Sequence, residues 1–76
     1  MNKERIFESV VQDRSALENY RLLVERGLTE YQADVERLEK KLLGNFKKFG
    51  DLNGLNAYIE SRNKKLGVSV PPVKPI

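Results

Sequence analysis

All three prolines of this 76-residue chain lie within its last six positions, at Pro71, Pro72 and Pro75, and the sequence ahead of them carries apolar residues at helical spacing. A proline fixes its own φ, has no amide hydrogen to donate, and pushes the residue before it toward extended conformations. Residues 68–76, VSVPPVKPI, therefore read as an extended tail, and residues 1–67 as a single small helical domain.

Within that domain the periodicity predicts three helices. A first, over about residues 3–26, places Ile6, Val10, Leu17, Tyr20 and Val24 on one face at 100° per residue, with a second apolar group, Phe7, Val11 and Leu22, further round. Gly27 suits a left-handed helix end, and Thr29 with Gln32 three residues on has the pattern of a capping box. So short a connection makes the next helix, over about 30–49, an antiparallel neighbour. Its inner face carries Tyr31, Val35, Leu38, Leu42, Phe46 and Phe49, with Asn45 between Leu42 and Phe49 either setting register or marking a loosened end. A short third helix, over about 52–65, is capped by Asp51 or Asn53, has Leu52, Leu55, Tyr58, Ile59 and Leu66 on one side, and ends at Gly67. The fold class is all-α: an antiparallel hairpin with a third helix and a tail closing one end.

Such a chain has few other supports. It holds no Cys and no His, so neither a disulfide, a thiolate metal site nor an imidazole acid/base group is available. A domain of this size buries only about 60% of its unfolded surface. The second apolar face of the first helix is longer than a short third helix can cover, which implies self-association. No apolar run approaches the roughly 18 residues that span a bilayer, and no apolar leader follows Met1, so a soluble, cytoplasmic protein is expected.

Net charge is +3, divided as 6 basic and 9 acidic residues over 1–39 against 8 and 2 over 40–76. The stretch KKLLGNFKKFG, residues 40–50, sets lysines beside phenylalanines and raises the question of nucleic acid. On a helical wheel Arg37, Lys40, Lys41, Lys47 and Lys48 fall in one arc, nearly opposite Phe46 and Phe49. Single-strand binders need stacking aromatics and cations on one surface, and this pattern separates them. A solvated face is the plainer account. Phosphate or acidic-partner contacts through Lys40, Lys41, Lys47, Lys48, Arg62, Lys64 and Lys65 remain the alternative, since backbone binding needs only clustered charge.

Other constellations fail on spacing. The second and third helices put glycine, phenylalanine or polar residues where a helix-turn-helix needs small or apolar ones. In DLNGLNAYIE, residues 51–60, the glycine comes fourth where a calcium loop needs it sixth. The serines lack a histidine, and Glu4, Glu8 and Glu18 alternate with arginines as a salt-bridged surface would. No enzyme and no cofactor is expected. Asp13 alone points into the apolar arc, and reaches water or Arg14 or else a basic group on another chain.

The reading that emerges is a non-enzymatic protein-interaction module, a small adaptor, inhibitor or assembly factor whose smallness suggests a bacterial or phage origin. Its expected partner contacts are Phe7, Val11 and Leu22 on the first helix and Val68, Val70, Val73 and Ile76 in the tail, with a protein partner or a second copy of the chain as the counterpart.

Overall fold

A computed structural model describes residues 2–76. Helix α1 spans Lys3–Glu25, a 3₁₀ turn covers Thr29–Tyr31, α2 spans Gln32–Lys47 and α3 spans Leu52–Leu66. No strand occurs among the described residues, and the all-α hairpin with a short third helix matches the apolar spacing to within two residues at each end.

The helix ends follow from local chemistry. Asn2 caps α1, its side-chain oxygen accepting from the Glu4 and Arg5 amides. At the other end the Leu28 amide donates to the Leu23 carbonyl and the Gly27 amide to that of Val24. This paired pattern requires a left-handed residue, and Gly27 supplies it at φ +96°. The Thr29–Gln32 capping box does not form: neither the turn nor α2 has a side-chain cap. Leu28 passes directly into the 3₁₀ turn, where its carbonyl takes the Tyr31 amide, so the backbone itself closes the start of the hairpin's second arm. Asp51 caps α3 by accepting from the Gly54 amide at 2.8 Å.

One core joins all three helices. Leu17 of α1, Leu42 of α2 and Leu55 of α3 are completely buried, with Phe7, Val10, Val35, Leu38, Phe46 and Ile59 around them. Val73 of the tail belongs to the same cluster. Leu66 does not; it stands 55% exposed at the last turn of α3, outside the face expected of it. Asn45 is the buried polar residue of this core, at 9% exposure on the inner face of α2.

Two ion pairs fasten the hairpin. Lys41 Nζ of α2 lies 3.0 Å from Asp13 Oδ2, and Ser9 Oγ donates to the same oxygen. The acid in the apolar arc is therefore paired across the hairpin, within this chain, and not with Arg14. Arg21 reaches Glu39 at 3.8 Å toward the connected end, where the Tyr20 and Tyr31 rings pack 5.5 Å apart. Exposed pairs of this kind contribute about 0–1 kcal/mol each, so burial carries most of the stability.

Two glycines inside helices have opposite surroundings. Gly44 faces open space in α2, whereas a methyl group on Gly54 would run into the Phe49 carbonyl. Gly44→Ala should stabilise the fold by about 0.5–1 kcal/mol through helix propensity, and Gly54→Ala should destabilise it by more than that. Urea unfolding followed by circular dichroism checks both signs.

Candidate functional site

The tail returns across its own helices, and main-chain recognition holds it there. Asn56 accepts from the Val73 amide at 2.8 Å and donates from Nδ2 to the Val73 carbonyl at 3.3 Å. Asn63 repeats the arrangement on Val70, accepting at 3.1 Å and donating at 2.9 Å. From α1, Arg14 Nε donates to the Lys74 carbonyl and Arg14 Nη2 to that of Pro75, both at 3.2 Å, while Arg21 Nη2 donates to the Ile76 carbonyl at 2.9 Å. Residues 70–76 thus run antiparallel to α3 and parallel to α1.

The match has a simple geometric origin. Asn56 and Asn63 are two helical turns apart, a rise of about 10.5 Å along α3. In polyproline II, the conformation prolines favour, three residues advance about 9.3 Å and return to the same face, and residues 70 and 73 meet the two amides in register. The same period of three governs burial: Val73 is buried, Val70 and Ile76 half-buried, and Pro71, Pro72, Lys74 and Pro75 exposed. Prolines have no amide hydrogen to leave unpaired, and they occupy only positions whose amides the clasp does not use. Gly67, at φ +67°, turns the chain out of α3, and the Val68 amide closes that end on the Asn63 carbonyl.

The residues expected to meet a partner divide accordingly. Phe7 is a core residue at 4% exposure, its ring 6.0 Å from that of Tyr58 and covered by the Arg62 guanidinium at 4.5 Å. Val70, Val73 and Ile76 face inward on this chain's own core. Val11, Leu22 and Val68 are outward, at 37%, 46% and 45% exposure, with Val11 at the edge of the tail groove. Lys40, Lys41, Lys47 and Lys48 are exposed while Phe46 is buried and Phe49 half-buried, so no aromatic shares the lysine surface. Of the other cations, Lys64 lies 3.9 Å from Glu60, and Lys65 is exposed.

Arg62 belongs to a latch between the first turn of α1 and α3. Its Nε and Nη2 grip the Glu4 carboxylate at 2.8 and 2.7 Å, and Tyr58 Oη donates to the same carboxylate at 2.7 Å. These bonds, from Arg62 first and then Tyr58, hold Glu4 below the ordinary carboxylate value. Tyr58 is raised above the ordinary phenol value, chiefly because its proton is donated to Glu4 and then by burial. Sequence spacing offered no sign of the latch, since 54 positions separate Glu4 from Tyr58. The asparagines were also missed: their spacing of seven matches the three-residue apolar spacing of the tail only once α3 and the tail lie side by side.

No cluster of three His, Cys, Asp or Glu side chains that could hold a metal occurs among the described residues, and none of their helices is long and apolar enough to cross a membrane. No protein-family model matches the sequence, and comparison with curated proteins and with solved structures returns no significant match.

Two expectations follow. Asn63→Leu should remove both bonds to Val70 and speed its amide exchange by about tenfold or more, each lost bond being worth about 1 kcal/mol; hydrogen exchange by NMR reads this directly. The latch should stabilise most between the two titrations. Its Glu4 contribution is present above the ordinary carboxylate pKa and lost as pH falls through the lowered folded value. The Tyr58 contribution is present below about pH 10 and lost as pH rises through its raised value. Thermal melts should therefore show the gap between wild type and Glu4→Gln at full width near pH 7 and shrinking below about pH 4.

Proposed function

We propose that the protein is a non-enzymatic protein-interaction module of the cell interior, an adaptor, inhibitor or assembly factor that works by docking extended segments and helical faces, including those of a second copy. One observation carries the reading: side chains of two helices recognise the main chain of a seven-residue extended segment. Recognition through backbone groups with pockets for alternate side chains is a recurring mode of protein–protein contact. The exposed Val11, Leu22 and Val68 add apolar surface for a partner beyond the clasp.

A second reading has its own support in the exposed Lys40, Lys47 and Lys48 on the outer face of α2, which suit an anionic surface such as nucleic acid. The separation of Phe46 and Phe49 from that face restricts it to phosphate contacts.

One experiment separates the two. The protein, tagged at its N-terminus, is recovered from its native lysate with and without nuclease at moderate salt. A stoichiometric protein companion that survives nuclease, and falls at least tenfold with Val11→Asp while the helical circular-dichroism signal is kept, supports the module. Companions lost on nuclease treatment, and lost again when Lys40, Lys41, Lys47 and Lys48 are changed to Gln, establish the nucleic-acid reading instead.

A further inference from the structure

One cation of the clasp has more donors than its present occupant satisfies. Arg14 and Arg21 stand seven residues apart on α1, mirroring Asn56 and Asn63 on α3, and both arginines aim at carbonyls of residues 74–76. Arg14 Nη1 is shut off from solvent with no acceptor among the described residues. A buried guanidinium donor left unpaired is costly, and a carboxylate is the acceptor that guanidinium binds best. Yet the tail brings a cation, Lys74, to the position whose carbonyl Arg14 holds. The remaining contacts are indifferent to sequence, because they fall on main-chain groups and on apolar side chains at every third position. Residues 70–76 fit the groove in shape and leave Arg14 Nη1 without an acceptor.

We infer that the groove between α1 and α3 is a binding site for an extended, proline-containing segment of a partner protein, with apolar residues at i, i+3 and i+6 and an acidic residue where this chain has Lys74. Residues 70–76 occupy the site in the free chain and yield it to that better-matched segment. Asn56 and Asn63 set the register, and Arg14, whose Nη1 lacks an acceptor, selects the charge. The hinge is the exposed Gly67–Val68–Ser69 run, which leaves α3 through the left-handed Gly67. The inference rests on the interaction-module reading only in naming a partner protein.

The test uses the 76-residue chain and two fluorescent peptides, one with the sequence of residues 68–76 and one with the same sequence carrying K74E, read by anisotropy. Val73→Asp frees the groove by driving the tail from the core. The wild type's own tail competes at an effective concentration of about millimolar, so the V73D chain should bind both peptides at least tenfold tighter than wild type. The K74E peptide should bind severalfold tighter than its parent, Arg14→Gln should erase that difference, and Asn56→Leu with Asn63→Leu should weaken both peptides tenfold or more.

Failure of a helical V73D chain to bind either peptide, or binding indifferent to the asparagines, overturns the site. A parent peptide that binds tighter than K74E overturns the acidic partner and makes a second copy's tail the occupant. If V73D loses its helical signal, wild type is titrated with millimolar K74E peptide and the Val70 and Val73 amide resonances are followed by NMR. Their movement to free-tail positions supports displacement, and unmoved resonances overturn it. Peptide binding with no companion in the lysate would defeat the interaction reading and leave the site standing; a companion retained undiminished by the paired asparagine changes would do the reverse.

Discussion

Leu17, Leu42 and Leu55 come from three different helices and share one core from which solvent is wholly excluded. Everything else in the molecule is arranged around that meeting point. In a chain this small each buried leucine is a large fraction of net stability, since truncation of such a residue typically costs about 2–5 kcal/mol against a total of about 5–15. Three helices of 23, 16 and 15 residues leave part of α1 without a helical neighbour. The tail fills that space, with Val73 entering the core itself.

An extended segment laid on helices brings polar backbone into an apolar setting, where unpaired amides and carbonyls are costly. A sheet would pair them with another strand. Here two asparagines and two arginines take that part, and the prolines lower the number of amides in need of partners. The arrangement gives the tail specific placement without specific side-chain demands.

Ion pairs join the elements of the molecule. Asp13 and Lys41 join the hairpin, and Glu4, Tyr58 and Arg62 secure the start of α1 to α3, with the Arg62 guanidinium also lying on the Phe7 ring. The lysine–phenylalanine stretch of residues 40–50 resolves into two surfaces, with its lysines exposed and its phenylalanines packed inward. Reading Phe7 as an outward residue went astray for an instructive reason. The apolar arc of α1 is broad enough to meet α2 on one flank and α3 with the tail on the other, so a second apolar face marked a second neighbour within the same chain. Val11, at the margin of that arc, stays partly exposed beside the tail.

Local sequence determined the elements and their limits: apolar residues at helical spacing, caps at Asn2 and Asp51, left-handed turns at Gly27 and Gly67, and a tail that three prolines bar from any helix. These outcomes depend on interactions within a few residues, which periodicity and turn chemistry record. The tertiary structure alone decided the rest. That Asp13 finds Lys41, that Glu4 finds Arg62 and Tyr58, and that Asn56 and Asn63 read Val73 and Val70 depends on how rigid helices cross. It depends equally on the near equality of two helical turns and three extended residues, a coincidence of lengths that emerges only when α3 and the tail lie side by side.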